Sequence, residues 1–169
     1  MHSNVLTTSE RKCRRSEDMK TIASFTVDHD KLEKGMYISR IDGDAITYDI
    51  RMKKPNGGDY LTNGALHTFE HLFATYARNS EISDSVIYVG PMGCLTGFYL
   101  ILRNKVSSEQ AIKLVNDSFR FVADFNGKIP GSERRECGNY QLHDLEGAKA
   151  VAADMIAVLD GYTPEKLNY

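Results

Sequence analysis

Two histidines and a glutamate stand close together in the stretch HTFEH, residues 67–71. In a helix, residues four apart are offset by about 40° around the axis, so His67 and His71 can aim at one ion. Glu70 borders the same opening, where a carboxylate can act as a base next to a metal. On its own, the motif fits both a catalytic metal site and two half-exposed histidines on a helix surface.

A third metal ligand is offered by Cys137, in the stretch RRECGNYQLHD. The segment is charged and typical of a loop, where a cysteine that served only as a hydrophobic residue would be out of place. Two imidazoles and one thiolate suit a tetrahedral divalent ion with its fourth position open, which indicates catalysis or substrate binding. The alternative for Cys137 is a buried, inert thiol.

A second reactive thiol is indicated at Cys94, in the stretch GPMGCLTGFY. Gly93 and Gly97 flank it, and glycines let the backbone approach a ligand closely. Near a dication, a thiolate can accept or give a proton close to neutral pH. The alternative is a small residue that fills the end of a strand.

Length and charge limit the class of protein. A chain of 169 residues, 41% hydrophobic and 26% charged, fits one domain with a real core. Its net charge of −2 argues against a broad surface for nucleic acid or anionic lipid, and favours a small-molecule substrate. No apolar run approaches the roughly 20 residues of a membrane span, the N-terminal stretch lacks the apolar region typical of a signal peptide, and the cysteine count is odd. We therefore expect a cytoplasmic protein with free thiols.

The elements that position these residues follow from hydrophobic periodicity. Residues 1–20 are polar and aperiodic, which predicts a disordered extension before a single domain over 21–169. Strands are predicted at 36–41, 46–52, 85–90 and 98–103, and helices at 62–78, 111–125 and 144–161. This order predicts an α+β fold with an antiparallel sheet packed against helices, rather than an alternating parallel sheet.

Turn and cap signals mark the ends of these elements. Asp42, Gly43 and Asp44 are typical of a hairpin turn between the first two strands. Asn63 is a candidate cap of the first helix, and residues 107–110, SSEQ, have the pattern of a capping box before the second. Gly161 is the expected stop of the last helix.

Three motifs in order, HTFEHLFATYAR, PMGCLTGFYL and ECGNYQLHDLEGAK, resemble the S-ribosylhomocysteine lyase (LuxS) family. The likeness extends from about residue 24 to about residue 161. It implies a small α+β homodimer with active sites at the subunit interface, each holding one divalent metal. The resemblance implies Fe²⁺ as the native ion, with Zn²⁺ or Co²⁺ able to replace it.

The resemblance also assigns roles to individual residues. It implies that the metal ligands are His67, His71 and Cys137, that Glu70 is the base and that Cys94 is the catalytic cysteine. SFTVDH and YDIR are similar to substrate-binding segments of the family, so the implied substrate contacts are Ser24, His29 and Arg51. The implied role of His143 and Asp144 is a supporting one.

The implied reaction cleaves the thioether of S-ribosyl-L-homocysteine to L-homocysteine and 4,5-dihydroxy-2,3-pentanedione, the precursor of autoinducer-2. Two carbonyl migrations would precede a β-elimination. One departure from the family lies close to this chemistry, because Tyr88 and Gly90 stand where the family usually has Asp and Ser before Pro-Met-Gly-Cys.

Two other functions fit parts of the sequence. HxxEH is also the signature of inverzincin peptidases, in which Glu146 would supply the third metal ligand, although that function leaves both motif cysteines without a role. A degenerate homologue that binds metal and ligand without turnover is the other alternative, supported by Tyr88 and Gly90.

Overall fold

The computed structural model of the chain describes residues 20–22 and 25–169. Most of the extension expected over residues 1–20 lies outside the described residues, as does Ser24. The described residues form the predicted combination of one antiparallel sheet with helices, so the α+β class is confirmed.

Four strands of the described chain form one sheet. They are β1 (Gly35–Asp42), β2 (Ala45–Arg51), β3 (Val86–Pro91) and β4 (Gly97–Arg103), in the spatial order β1-β2-β4-β3. Each neighbouring pair is antiparallel. β1 and β2 form the predicted hairpin, and Gly43 in its turn has a φ of +59°, which glycine adopts without steric cost.

The sheet has a core face and an outer face because side chains alternate along each strand. Tyr48 and Ile50 of β2 point into the core and are at most 1% exposed. β4 contributes Phe98, Leu100 and Leu102 to the same core. Asp49 and Arg51 alternate with these β2 residues and therefore lie on the outer face.

Three helices pack with the core face of the sheet. They are α1 (Asn63–Arg78), α2 (Ser108–Asp124) and α3 (Leu145–Leu159). α1 packs against β3 and against both other helices, and α2 packs against α3. The rings of Phe69, Phe73, Phe98 and Phe119 meet between α1, α2 and β4 at centroid distances of 4.8 to 6.3 Å. This aromatic contact fixes one side of α1 and leaves its other side for the functional residues.

The first turns of α1 and α2 are capped, with one correction to the prediction for α1. The cap is Thr62, whose extended backbone lets its side chain accept a hydrogen bond from the N–H of Ala65. Asn63, the predicted cap, is instead the first residue of the helix. Ser107 and Gln110 form the predicted capping box at the start of α2.

α3 and the segment after it complete the described fold. Asp144 caps α3 by accepting a hydrogen bond from the N–H of Gly147. The helix ends at Leu159, and Gly161 follows with a φ of +59°, close to the predicted stop. Pro164–Leu167 forms a short 3₁₀ helix that contacts β1. None of the helices in the described chain is both long enough and apolar enough to cross a membrane.

Candidate active site

The two histidines of α1 are oriented by backbone carbonyls. Nδ1 of His67 lies 2.6 Å from the carbonyl oxygen of Leu142, and Nδ1 of His71 lies 2.8 Å from that of Pro130. A carbonyl oxygen can only accept, so each Nδ1 carries the proton and donates it. Both Nε2 atoms are therefore left with a free lone pair, as in histidines that bind a metal.

Cys137 lies beside the histidine pair, as the sequence predicted. Its Sγ is 3.4 Å from Nε2 of His67, although 70 residues separate the two in sequence. The backbone N–H of Asn139 donates to this sulfur at 3.4 Å. The sulfur therefore lies half-buried beside an imidazole and is not enclosed in the hydrophobic core.

A fourth side chain joins this cluster. One donor atom from each of His67, His71, Cys137 and His143 lies within 4.8 Å of the other three. In a tetrahedral site with bonds of about 2.0 to 2.3 Å, ligand atoms lie about 3.3 to 3.8 Å apart, so donor atoms within 4.8 Å of one another are close enough to share a single metal ion after small shifts. Imidazole and thiolate donors suit a transition metal better than Mg²⁺ or Ca²⁺.

His143 was predicted only in a supporting role, and the structure places it against the side chains of His67 and His71. Its ring stacks on that of His67 with centroids 4.2 Å apart and planes 15° apart. Its Nδ1 lies 3.2 Å from the hydroxyl of Thr68, one residue after His67. Burial lowers the pKa of His143, and positive charge on His67 or His71 would lower this pKa further.

Glycines allow the start of α3 to pack closely against α1, which places His143 beside the histidines of α1. The N–H of Asp144 donates to the carbonyl oxygen of Gly64 at 3.2 Å and to the Thr68 hydroxyl at 2.9 Å. A Cβ on Gly64 would lie 3.0 Å from Cβ of Asp144. A second glycine, Gly147, is more restricted, because a Cβ there would lie 2.2 Å from the Asp144 carboxylate. Asp144 therefore joins the start of α3 to α1 through hydrogen bonds.

A second cluster surrounds Cys94, in the turn between β3 and β4. The side chain is exposed, and its Sγ lies 3.1 Å from the hydroxyl of Thr96 and 3.7 Å from Nη1 of Arg51. Nη1 of Arg51 also donates to the Thr96 hydroxyl at 2.6 Å. Cys94 is therefore an accessible thiol next to a fixed positive charge, the setting in which thiolates react.

The guanidinium of Arg51 is held by a buried carboxylate. Nε and Nη2 of Arg51 lie 2.7 and 2.8 Å from the two oxygens of Asp49, and both residues are at most 3% exposed. Burial lowers the pKa of Arg51, but the hydrogen bond and charge of Asp49, together with the charge of Cys94, outweigh it and raise the pKa overall. Arg51 therefore stays charged.

Tyr169, the last residue of the sequence, covers this ion pair. Its hydroxyl donates to Asp49 at 2.9 Å, and its ring stacks on Tyr37 with centroids 5.1 Å apart. Burial and the negative charge of Asp49 raise the pKa of Tyr169. Sequence reasoning missed this residue and Asp49, although the alternation of β2 already placed two opposite charges on one face of the strand.

Tyr88 and Gly90, the two departures from the family, are in contact. A Cβ on Gly90 would lie 2.0 Å from the hydroxyl oxygen of Tyr88 and 2.3 Å from the ring carbon that bears it. The tyrosine therefore occupies the space that a serine side chain at position 90 would need. The two replacements act as a pair, because the ring can adopt this position only above a glycine.

The structure gives few contacts for the remaining predicted site residues. Glu70 is half-buried and makes no hydrogen bond or ion pair with the described residues. Nδ1 of His29 lies 2.8 Å from the carbonyl oxygen of Val27, and no described hydrogen bond joins His29 to the metal cluster or to Cys94. Ser24 lies outside the described residues. Within the described chain, the donor atoms grouped around the histidines do not include Glu146, the ligand expected for a peptidase.

The fold and the side chains define the class of protein first: an α+β protein with a group of histidines and a cysteine that could hold one metal ion. The S-ribosylhomocysteinase (LuxS) family model matches residues 22–164. An S-ribosylhomocysteine lyase of Phocaeicola vulgatus is 52% identical over 157 residues, which cover 89% of this chain and 98% of the relative. Those of Porphyromonas gingivalis and Clostridium acetobutylicum are 46% and 43% identical over 157 and 156 residues. The chain therefore belongs to the S-ribosylhomocysteinase (LuxS) family, which confirms the resemblance seen in its motifs.

Proposed function

We propose that the protein cleaves S-ribosyl-L-homocysteine to L-homocysteine and 4,5-dihydroxy-2,3-pentanedione. The observation that carries this proposal is the joint presence of a His67, His71 and Cys137 cluster and an accessible Cys94 in a chain of this family. Several relatives of similar length bear the name of this lyase.

Cleavage of this thioether requires several proton transfers before the carbon–sulfur bond can break. Sulfur on C5 of the opened ribose becomes a leaving group only when a carbonyl stands at C3. The aldehyde at C1 must therefore migrate in two steps, each of which moves a proton from carbon and returns one to carbon. A base then removes the proton on C4, the C5–S bond breaks, and the sulfur leaves as a thiolate that is protonated to homocysteine.

The first cluster is proposed to hold one divalent metal. His67 and His71 would bind it through Nε2 and Cys137 through its thiolate, which is the ligand set that their hydrogen bonds prepare. When bound, such a cation supplies Lewis acidity that polarises the oxygens of the substrate. We assign Fe²⁺ as the ion, with Zn²⁺ or Co²⁺ able to replace it, on family resemblance.

Cys94 and Glu70 are proposed to carry the protons. The Cys94 sulfur would take and return the carbon-bound protons during the carbonyl migrations. Its exposure and the charge of Arg51 at 3.7 Å support this role. Glu70 would remove the proton on C4 and serve the hydroxyl groups, and no hydrogen bond from a described residue competes for its carboxylate.

The contacts to substrate are proposed on family resemblance. Ser24 and His29 would hold the homocysteine or sugar end. Arg51 would contact the substrate too. Its observed contacts go to Asp49, Thr96 and Cys94, so we propose that its main task is to order the Cys94 turn.

A homodimer is proposed on the same grounds, with residues 21–169 as the single domain that forms each subunit and with the active sites at the subunit interface. Two large apolar side chains near the start of the described chain support an interface there: Ile22 is 53% exposed and Phe25 is 74% exposed. His29 lies in the same segment, so a partner that covers this surface would also approach a predicted substrate contact.

A second candidate is a homologue that binds metal and substrate without turnover. The contact between Tyr88 and Gly90 favours it, because a tyrosine and a glycine stand shortly before Cys94 in the chain, where the family usually has an acid and a hydroxyl. One comparison separates the two functions. Ferrous protein under anaerobic conditions is incubated with S-ribosylhomocysteine, and free thiol is measured for the wild type and for Cys94→Ala.

The lyase predicts thiol release by the wild type and none by Cys94→Ala, although the variant retains its metal. Substrate binding without thiol release by the wild type would support the binding function instead. Full activity of Cys94→Ala would remove the cysteine from the mechanism.

A further inference from the structure

One polar atom in the metal cluster has no partner. Nε2 of His143 is buried, and no described residue accepts from it or donates to it. His143 belongs to the group of four residues whose donor atoms lie within 4.8 Å of one another. A buried polar atom without a partner costs free energy, which indicates that a ligand of the site completes it.

The protonation of His143 follows from the hydroxyl of Thr68, whose side chain is fully buried. This oxygen accepts a hydrogen bond from the N–H of Asp144 at 2.9 Å. Its other neighbour is Nδ1 of His143, at 3.2 Å, and the described chain offers no other acceptor for the hydroxyl hydrogen. If Nδ1 carried a proton, that buried hydrogen would have no acceptor. Nδ1 therefore accepts, and the ring proton is on Nε2.

A protonated Nε2 has no lone pair with which to bind a metal. We infer that His143 is not a fourth ligand but a fixed N–H donor, aimed at an oxygen of the substrate at the metal site. This inference rests on the proposed function, because it is the sugar-derived chain that brings carbonyl and hydroxyl oxygens to the site. Stacking on His67 and the hydrogen bond to Thr68 fix the ring, so the donor needs no reorganisation.

The N–H of His143 is expected to speed the reaction by donating a hydrogen bond to a substrate oxygen that gains negative charge during enolisation. Removing one such donor typically lowers kcat about a hundredfold to a thousandfold. His143→Phe keeps the stacking surface but loses the N–H, so we expect a fall of that size in kcat with a smaller change in KM. His143→Gln places an amide N–H in the same region and should recover part of the rate.

Metal affinity distinguishes a donor from a ligand without turnover. In a chelator competition with Zn²⁺, His143→Phe should keep one ion per chain and a dissociation constant within about tenfold of the wild type, the lower limit of losses seen around metal sites. Cys137→Ser provides the reference for a lost ligand. An affinity of His143→Phe as low as that of Cys137→Ser would overturn the inference.

The tautomer can be read directly by long-range ¹H–¹⁵N NMR of the zinc-loaded protein, with the His143 signals assigned by their loss in His143→Gln. We expect a proton on Nε2 and a lone pair on Nδ1, and in Thr68→Val a mixture of the two tautomers. A proton on Nδ1, or a zinc-bound Nε2, would overturn the inference. If the wild type releases no homocysteine while Nε2 carries the proton, the proposed lyase function fails and the tautomer assignment stands.

Discussion

Asp49→Asn tests the buried ion pair that supports the Cys94 turn. The change keeps the shape of the side chain and removes its charge, so the Arg51 guanidinium, 3% exposed, is left without a counter-charge. Breaking a buried pair in this way costs about 3 to 5 kcal/mol, a large share of the 5 to 15 kcal/mol that holds a typical domain together. With a urea m-value of about 1 to 3 kcal/mol/M, the unfolding midpoint should fall by at least about 1 M.

A matched control is available on the same sheet. Asp44 pairs with Arg103 at 2.7 Å, but these side chains are 64% and 47% exposed. Solvent screens such a pair, so Asp44→Asn should cost less than about 1 kcal/mol. Urea unfolding of both variants, followed by circular dichroism, makes the comparison. If Asp49→Asn costs no more than Asp44→Asn, the pair does not hold Arg51 in place and the proposed support of Cys94 is wrong.

Three further predictions concern the metal ligands, the contact between Tyr88 and Gly90, and Tyr169. Cys137→Ser should lose the metal, as measured by metal content after dialysis, whereas Glu146→Gln should keep it; the reverse result would support the peptidase ligand set. Gly90→Ser should displace the ring of Tyr88 and so lower the free energy of unfolding. The loss should be smaller in a Tyr88→Ala background, because the ring is already absent there. A double-mutant cycle of unfolding free energies should therefore show a coupling of about 0.5 to 3 kcal/mol. Additive costs would show that the two residues are independent. Tyr169→Phe should cost about 1 to 3 kcal/mol, because it removes a hydrogen bond to a charged group; an unchanged urea midpoint would contradict the observed contact.

Local patterns predicted the elements of the fold. The period of apolar residues in 62–78 placed α1, and the alternation over 46–52 placed β2. The cap of α1 was misplaced by one residue, because Thr62 and Asn63 are both good caps and only the backbone conformation distinguishes them.

The histidine pair was also predictable, because one helix carries both residues at a fixed spacing. The position of Cys137 beside His67 was harder, since 70 residues separate them and only the fold brings them together. The sequence motifs, through their family resemblance, supplied that information. The structure then confirmed the proximity of the predicted metal ligands.

Other parts of the site depend on tertiary contacts that have no sequence pattern. The orientation of His143 is set by Thr68 across the contact between α1 and α3. The contact between Tyr169 and Asp49 joins residues 120 apart. The sequence shows that Tyr88 and Gly90 replace the usual family residues. It does not show that the Tyr88 ring occupies the space of a side chain at position 90, because that requires the coordinates of the strand.

The most direct measurement for the central claim is product formation by the ferrous wild-type protein under anaerobic conditions. S-ribosylhomocysteine is added, and homocysteine thiol and the five-carbon diketone are quantified in the same sample. A lyase with the chemistry proposed for His67, His71, Cys137, Cys94 and Glu70 predicts both products in equal amounts, with loss of both in Cys94→Ala. Bound metal and bound substrate with neither product would contradict the proposed function.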